Sequence, residues 1–251
     1  MNPHLQKYGD ILVAESESNR VFVPLCGKSV DMAYLASHER VSHVVGIDII
    51  KQAAEEFAQD HPTLALTEFL LANNAVSEQS CDAETLTGTS VFHGNGISIM
   101  VDDLFNVLHM PNEERAKYMT QGSTFSPDEN DSISSYAFDS IYDRASMVAI
   151  DPSLRKEYST QMGQLLKPNG VLLLVTLDRR KVSNDTAKRD GPPFSISESE
   201  VRQLYESQEW VESVELLEEV NDLRTDEDKE RWAKKGVLEL FELVFVIRKK
   251  S

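Results

Sequence analysis

Short apolar runs that alternate with helical patterns are the feature that most constrains the fold of this chain of 251 residues. The runs Val21–Leu25 and His43–Ile47 are separated by a helical pattern from about Asp31 to His38. A second helical pattern follows, and Pro62 ends it. Because successive parallel strands need a crossover connection that is usually a helix, this order predicts an α/β fold with a mostly parallel sheet and helices on both of its faces.

The same alternation continues to the end of the chain. An apolar stripe from Leu154 to Leu166 predicts a long helix that ends at Pro168, and Ser197 and Glu200 have the spacing of a helix capping box. The remaining apolar runs are predicted to be strands: Ile97–Val101, Phe138–Tyr142, Val171–Leu177, Ser213–Leu217 and Leu238–Ile247.

Two polar stretches interrupt this pattern. Residues 73–96 are rich in Ser, Thr, Asn and Gly, and residues 121–135 include an acidic segment. We interpret both as insertions or long loops. Since the sequence shows neither an internal repeat nor a clean linker, residues 1–251 are expected to form a single domain.

Charge and cysteine content narrow the classes of function. The chain has 25 Lys and Arg against 42 Asp and Glu, a formal net charge of −17. This charge argues against nucleic acid and anionic membranes as partners, because both are bound through basic side chains. Two cysteines do not make a disulfide framework. The sequence shows neither a secretory signal nor an apolar run of membrane-spanning length, so we expect a cytoplasmic protein without membrane contact.

Gly27 and Asp48 are the first candidates for a ligand site. A glycine in the turn after the first strand lets a ligand approach the backbone, and an acidic residue about 20 positions later accepts hydrogen bonds from ribose hydroxyls. Because this turn holds only one glycine, a dinucleotide pyrophosphate is poorly supported, whereas a nucleoside needs less backbone contact. On spacing alone, a nucleoside-binding Asp48 and an ordinary strand-end Asp are about equally well supported.

Charged residues also follow the third and fourth predicted strands. Asp102 and Asp103 lie where ligands bind in open α/β sheets, and an Asp there accepts a hydrogen bond from an adenine amino group or simply caps the next helix. Asp143 and Arg144 follow the fourth strand, and the planar guanidinium suits either a cofactor carboxylate or a structural ion pair. In both places the structural interpretation is the commoner one.

Several familiar catalytic patterns are missing from the sequence. It contains no nucleophile elbow, no phosphate-binding loop and no Cys/His cluster with zinc spacing, and its six histidines are scattered. Cys26 lies in the first turn, where a buried small residue is expected rather than a nucleophile. Hydrolysis and metal chemistry therefore have no visible site, and no metal ligand is assigned.

Four sequence words, taken together, resemble those of a known enzyme family. They read VFVPLCGKS (residues 21–29), VVGID (44–48), FDSIYDRA (138–145) and GPPF (191–194). In this order and at these distances they resemble the thiopurine S-methyltransferases, and the resemblance extends from about Asn2 to the C-terminus. The word LLKPNGVLLLV (165–175) adds a pattern typical of class I methyltransferases.

The resemblance implies a seven-stranded, mostly parallel, Rossmann-like sheet that binds S-adenosylmethionine as its cofactor. In matching positions, Leu25 contacts the cofactor after the first strand and Asp48 holds its ribose. The resemblance also places Asp103 and Leu104 beside the adenine and Arg144 near the methionine moiety. Together with Gly27, these residues make up the predicted cofactor site: Leu25, Gly27, Asp48, Asp103, Leu104 and Arg144.

For the methyl acceptor, the resemblance implies a small molecule, namely a thiol or a similarly soft nucleophile that is methylated by direct displacement. Pro193 and Phe194 would help to line the acceptor pocket. Arg231, five residues before Gly236, matches a family arginine near the acceptor and is the catalytic candidate, because its charge stabilises an anion. Its plain alternative is a surface arginine within the charged run 226–231. We expect the protein to act as a monomer.

The start of the chain departs from the family pattern. Family members usually begin with a segment rich in Trp and Arg that covers the cofactor, whereas Met1 is followed at once by residues that resemble the portion after that segment. The lid is therefore expected to be missing. Two alternatives stay open beside thiol methylation: methylation of halide or hydrosulfide by the same fold, and a lid-less binding protein without catalysis.

Overall fold

The computed structural model describes residues 1–13, 18–72, 88–120, 137–183 and 191–251 of the chain. The chain divides into two compact units, the first made of Met1–Asn2 and Ser16–Tyr136 and the second of Pro3–Glu15 and Ala137–Ser251. The division into compact units does not test whether residues 1–251 form a single domain, and the single domain therefore stays a prediction.

Nine strands lie in the described residues, five in the first unit and four in the second. They are β1 (Asn19–Val23), β2 (Val41–Asp48), β3 (Thr67–Ala72), β4 (Gly88–Gly94), β5 (Ile97–Val101), β6 (Phe138–Arg144), β7 (Leu166–Val182), β8 (Val211–Asn221) and β9 (Val237–Lys249).

The helices connect and flank these strands. They are α1 (Pro3–Tyr8), α2 (Val30–Ala36), α3 (Lys51–Asp60), α4 (Leu104–Leu108), α5 (Asn112–Met119), α6 (Ser146–Ala149), α7 (Arg155–Leu165), α8 (Glu198–Glu206) and α9 (Asp226–Lys234). Ser197 and Glu200 form the predicted capping box at the start of α8. Within the described ranges, none of the helices has both the length and the apolar character that crossing a membrane requires.

In the first unit the strands pair in the order β3-β4-β5-β2-β1. The strands β1, β2 and β5 run parallel, with Val21 opposite Val44 and Val45 opposite Ser98. By contrast, β4 is antiparallel to both β3 and β5. Since the three parallel strands point the same way, the segments that follow them begin at one edge of the sheet, which is where open α/β sheets bind ligands.

In the second unit the strands pair in the order β6-β7-β9-β8. β6 and β7 run parallel, whereas β9 is antiparallel to both β7 and β8. The predicted pairing of the last two strands is therefore confirmed. Residues Leu172–Leu174 of β7 are completely buried, as expected for a continuously apolar strand that is covered on both faces.

The predicted α/β class with a mostly parallel central sheet is confirmed, but the prediction of seven strands is wrong, because the described residues contain nine. One of the additional strands, β4, lies within the stretch 73–96 that the sequence suggests is a loop. Val91 and Phe92 of β4 are buried, and Ser90 Oγ donates a hydrogen bond to Glu68 Oε1 of β3 (2.6 Å). Its polar residues thus face neighbouring strands rather than forming a loop. Residues 73–87, and the second predicted loop at 121–135, lie outside the described residues.

Strand β7 is longer than its apolar run predicts. The helix before it ends at Leu165, near the predicted position, but the strand begins at Leu166 and continues to Val182, beyond the predicted Val171–Leu177. The extension toward Val182 is possible because β9 is also long, with Val237 opposite Val182. Backbone pairing with β9 therefore extends β7 past the apolar residues.

A buried polar cluster joins β2, β4 and β5 in the first unit. His43 Nε2 lies 2.9 Å from Ser98 Oγ, and His93 Nδ1 lies 3.1 Å from the same oxygen. His43 is only 3% exposed, and burial, reinforced by the positive charge of Arg20, lowers its pKa to about 4. The folded protein therefore holds His43 neutral at pH values where an exposed histidine is protonated.

We expect this buried histidine to weaken the fold in acid. Since the pKa of His43 is lower in the folded state than its usual value of about 6.5, the unfolded state binds more protons between these values. Stability should fall by about 2–3 kcal/mol as the pH drops from about 6.5 to about 4. Urea unfolding at a series of pH values measures this loss. His43→Gln should reduce it, and the control His38→Gln, just after α2, should not. The prediction fails if both variants lose stability as wild type does.

Candidate functional site

The turn after β1 and the end of β2 meet at a carboxylate. Asp48 Oδ2 accepts a hydrogen bond from the backbone N–H of Gly27 (2.9 Å), and Oδ1 accepts one from the N–H of Ile50 (2.9 Å). Gly27 has a φ of +49°, a left-handed conformation that favours glycine. The two residues that the sequence places 21 positions apart are therefore in direct contact.

The Asp48 carboxylate keeps acceptor capacity after these two bonds, because an ionised carboxylate has about four lone-pair sites. The space beside Gly27 is also open: among the described residues, a Cβ built on Gly27 would approach only Asp48 Oδ2, at 4.0 Å. A ligand can thus reach both the backbone of the turn and the carboxylate. A pair of adjacent hydroxyls, as in a ribose, fits this arrangement.

Exposed apolar side chains follow the carboxylate along the chain. Ile49 is 58% exposed and Ile50 is 55% exposed, which is high for large aliphatic residues. Leu25, in the turn after β1, is half-buried and has a φ of +41°. Ile49 and Ile50 are not among the residues predicted from the sequence, although an apolar pair directly after a strand-end Asp is a usable signal. Such side chains offer a packing surface for a flat ring.

Asp103 begins α4 as its N-terminal cap. Its Oδ1 accepts hydrogen bonds from the N–H groups of Phe105 (2.8 Å) and Asn106 (3.1 Å), so the predicted capping alternative describes this side chain. Both bonds use the same oxygen, which leaves Oδ2 outside the cap. Leu104 is only 3% exposed, and a ligand contact there would involve its backbone rather than its side chain.

Asp102 links β5 to the end of β2. Its N–H donates to the carbonyl oxygen of Asp48 (3.1 Å). Its Oδ2 accepts hydrogen bonds from the Tyr118 hydroxyl (2.6 Å) and from Thr89 Oγ1 (3.2 Å). Asp102 is therefore a structural residue that fixes the segment leading to Asp103.

Cys26 lies beside this turn but is not exposed. Burial raises the pKa of its thiol, and the nearby Asp48 carboxylate adds to this effect. A Cβ built on Gly46 of β2 would lie 2.7 Å from both Cys26 Sγ and Met32 Sδ, so the packing is tight. Because the thiolate rather than the thiol is nucleophilic, Cys26 is a packing residue here, as predicted.

In the second unit, a buried carboxylate holds the end of β6. Asp143 accepts hydrogen bonds from the N–H groups of Ser146 (3.1 Å) and Met147 (3.2 Å) and from the Tyr158 hydroxyl (2.7 Å). Its complete burial raises the pKa of the carboxyl, and these hydrogen bonds oppose the shift. Asp143 therefore fixes the turn from which Arg144 projects.

Arg144 is exposed and interacts electrostatically with Glu242 of β9. The pKa of Glu242 is lowered mainly by its hydrogen bond to His4, and also by the charges of Arg144 and Arg224. His4 is buried between two carboxylates, with Nε2 3.1 Å from Glu242 Oε2 and Nδ1 3.3 Å from Glu218 Oε2. The predicted cofactor arginine thus belongs to a charged network that ties α1 to β8 and β9.

The GPPF segment lies against the end of β7. Arg179 Nη2 donates a hydrogen bond to the carbonyl oxygen of Pro193, and the N–H of Arg179 donates to Ser195 Oγ (2.9 Å). The N–H of Phe194 donates to the carbonyl oxygen of Val148 (2.6 Å). Pro193 and Phe194, both predicted acceptor residues, are half-buried and held in place by these contacts.

Arg231 lies on the outer face of α9. Its side chain is 63% exposed, and Nη2 lies 2.9 Å from Asp228 Oδ1. The surface ion pair that the sequence offers as the alternative for Arg231 is therefore present, while the guanidinium remains accessible to a ligand. The next residue, Trp232, is buried against Leu223 and Leu240.

The predicted site residues thus form two groups, one in each unit. The first contains Gly27 and Asp48 in direct contact, and the second contains Pro193 and Phe194 on one loop. Arg179, which contacts this loop, is not among the residues predicted from the sequence, because its only signal there is a basic residue at the end of an apolar strand. In the ranges that the structure covers, no three His, Cys, Asp or Glu residues are placed to hold a metal ion.

Comparison with known proteins matches nearly the whole chain to one family. The family profile described as thiopurine S-methyltransferase (TPMT) matches residues 1–250. A thiopurine S-methyltransferase of Vibrio atlanticus is 30% identical over 252 residues, covering 100% of this chain and 90% of the relative. One of Legionella pneumophila (strain Corby) is 28% identical over 249 residues, covering 99% and 89%.

Solved structures show the same fold at low sequence identity. Phosphoethanolamine N-methyltransferase 2 of Haemonchus contortus, in complex with S-adenosylmethionine, has a TM-score of 0.57 at 11% identity and covers 99% of this chain and 52% of that chain. A S-adenosylmethionine-dependent methyltransferase of Methanosarcina mazei has a TM-score of 0.51 at 13% identity, with coverages of 100% and 98%. The predicted Rossmann-like class is confirmed by this likeness.

Proposed function

Because the chain belongs to the thiopurine S-methyltransferase family, we propose that it transfers a methyl group from S-adenosylmethionine to the sulfur of a small thiol. Membership of the family makes it a methyltransferase with S-adenosylmethionine as its cofactor. The thiol acceptor and the roles of individual residues are the finer part of the proposal.

The observation that carries the proposal is the Asp48 carboxylate, oriented by the N–H groups of Gly27 and Ile50. We assign it to the two ribose hydroxyls of the cofactor, which donate to the lone pairs that remain. Leu25 and Gly27 would contact the cofactor through the backbone of their turn. The exposed side chain of Ile49 suits one face of the adenine.

The adenine and methionine ends of the cofactor are assigned to three further residues. Asp103 Oδ2, which the helix cap does not use, would accept from the adenine amino group, and Leu104 would contribute its backbone. Arg144 would pair with the carboxylate of the methionine moiety, for which a planar guanidinium is suited. Asp143 supports this role because it fixes the turn that contains Arg144.

Bound S-adenosylmethionine supplies an electrophilic methyl group on its sulfonium, so the protein chiefly has to align the acceptor and exclude water. An aromatic thiol is acidic enough to react with little help from a general base. We assign Pro193 and Phe194 to the apolar contact with its ring. Arg231, whose guanidinium is accessible, would stabilise the thiolate.

We expect Arg231→Ala to lower kcat/KM for an aromatic thiol roughly ten- to hundredfold, since a hydrogen bond to a charged group contributes about 1.5–3 kcal/mol. The dissociation constant of S-adenosylmethionine, measured by titration calorimetry, should stay at the wild-type value. Arg202→Ala is the matched control, because Arg202 is also a partly exposed arginine that forms ion pairs within its own helix. A wild-type kcat/KM in Arg231→Ala would rule out the assigned role.

The comparisons favour neither of the two alternatives to thiol methylation. Parallel assays with iodide, hydrosulfide and an aromatic thiol separate them from the proposal. A higher rate with the aromatic thiol supports the proposed thiol acceptor. A higher rate with iodide or hydrosulfide would show that one of these small anions is the preferred acceptor instead. Binding of the cofactor without methylation of any of the three would favour the non-catalytic alternative.

A further inference from the structure

We propose that Arg179 is a positioning residue that fixes the acceptor loop to helix α9 and thereby sets the affinity for the acceptor. We define the acceptor loop as residues 191–195. The inference rests on the proposed function, because it takes Pro193 and Phe194 on this loop and Arg231 on α9 as the two sides of the acceptor site.

Arg179 holds the acceptor loop at two points. Its guanidinium donates to the carbonyl oxygen of Pro193, and its own N–H donates to Ser195 Oγ (2.9 Å). One residue further on, the N–H of Ile196 donates to the carbonyl oxygen of Leu177 (2.8 Å). Arg179 therefore holds the loop against β7 through both its side chain and its backbone.

The same guanidinium also contacts α9. Its carbon lies 5.4 Å from the centre of the Trp232 ring, within the range of a cation–π contact. Trp232 is buried with Leu223, Val237 and Leu240, so this ring is not free to move. Arg179 itself is only 6% exposed, and desolvation strengthens both the hydrogen bond and the ring contact.

These contacts make one side chain common to both parts of the proposed acceptor site. Pro193 is bound directly, and Arg231 is the chain neighbour of Trp232. A guanidinium suits this position because it is planar and can stack on a ring while donating in its own plane. The ammonium of a lysine keeps the charge but is a compact point charge, so it cannot reproduce both contacts at once.

A second arginine contacts the other side of the loop. Arg155 of α7 is buried, its guanidinium carbon lies 5.8 Å from the centre of the Phe194 ring, and its Nη1 is 3.4 Å from the carbonyl oxygen of Ser195. This hydrogen bond is long, and both of these contacts lie on the loop itself. We therefore assign the connection to Arg179 and treat Arg155 as part of the packing around Phe194.

The test compares Arg179→Met and Arg179→Lys with Arg180→Met as the matched control. Arg180 is the next residue, and its ion pairs run to Asp178 and Glu219 rather than to the loop. We expect both Arg179 variants to raise KM for an aromatic thiol roughly tenfold, as expected for the loss of one charge-assisted hydrogen bond. The dissociation constant of S-adenosylmethionine should be unchanged, and Arg180→Met should behave as wild type.

A second readout does not depend on activity. In a Trp210→Phe background, Trp232 is the remaining tryptophan of the chain, and acrylamide quenching of its fluorescence reports how well the ring is covered. Quenching should increase in Arg179→Met and stay at the background value in Arg180→Met. Arg179→Lys provides the same comparison should the methionine variant fail to fold.

The outcomes distinguish this inference from the proposed function. Wild-type KM for the thiol in both Arg179 variants would overturn the inference, and so would unchanged Trp232 quenching. If the wild-type protein methylates no thiol, the proposed function fails, and the quenching comparison alone decides whether Arg179 joins the loop to α9. A KM effect that appears equally in Arg180→Met would also overturn the inference, because it would not be specific to Arg179.

Discussion

We expect the Asp48→Asn variant to bind S-adenosylmethionine roughly ten- to hundredfold more weakly than the wild-type protein. The carboxylate accepts from two backbone N–H groups, one on each oxygen, and is assigned to two ribose hydroxyls as well. An asparagine amide has only one acceptor oxygen, so its NH2 group would face either Gly27 or Ile50, donor against donor. Both the ribose contact and the turn are therefore weakened. Titration calorimetry with S-adenosylmethionine and with S-adenosylhomocysteine measures the change.

The control for this substitution is Asp60→Asn, at the exposed end of α3 in the same unit. It makes the same chemical change away from the Asp48 carboxylate, with only an electrostatic effect on Lys28 of the turn, and should leave the affinity unchanged. Thermal unfolding of both variants without ligand separates a damaged turn from a lost ligand contact. If Asp48→Asn bound the cofactor as tightly as wild type, the assignment of Asp48 to the ribose would be wrong.

The second large effect concerns stability. Gly→Ala within a helix usually stabilises by about 0.5–1 kcal/mol, but we expect Gly163→Ala in α7 to destabilise the protein by about 1–3 kcal/mol. A Cβ at this position would lie 2.4 Å from Cε2 and Nε1 of the Trp210 indole, much closer than two such atoms can approach. The indole cannot easily retreat, because it packs perpendicular to the buried Tyr205 ring, with 6.0 Å between the ring centres.

A double-mutant cycle shows whether this contact is the cause. In a Trp210→Leu background the added methyl group has space, so Gly163→Ala should become neutral or slightly stabilising there. Urea unfolding followed by circular dichroism gives the four free energies of unfolding. The same loss of stability in both backgrounds would place the strain elsewhere, and a gain in the wild-type background would contradict the packing described for Trp210.

Sequence patterns predicted the parts of the fold that depend on local hydrophobicity. Val21–Val23 and His43–Ile47 lie in buried parallel strands, for which continuous apolar runs are typical, whereas the predicted strand end at Leu25 is wrong because β1 ends at Val23. The contact between Gly27 and Asp48 was also predictable, because chain direction in parallel strands brings the two strand ends to the same edge.

Other features depend on contacts that are distant in sequence and therefore left no local pattern. The sequence of β4 resembles a polar loop because it contains Ser90 and His93, whose side chains form hydrogen bonds with residues of the neighbouring strands β3 and β5. The proposed role of Arg179 rests on its contacts with Pro193 and Trp232, which lie 14 and 53 positions away along the chain. Neither spacing corresponds to the period of a helix or a strand, so hydrophobic patterns in the sequence do not predict these contacts.

Methyl transfer to sulfur is the central claim, and one labelling measurement tests it most directly. The purified protein is incubated with S-adenosylmethionine that carries a trideuterated methyl group and with an aromatic thiol, and the products are identified by mass spectrometry. We predict a trideuteromethyl thioether and S-adenosylhomocysteine in equal amounts, with an Arg231-dependent rate. Binding of the cofactor without any labelled thioether, or a label found on nitrogen or oxygen of the acceptor instead of sulfur, would contradict the claim.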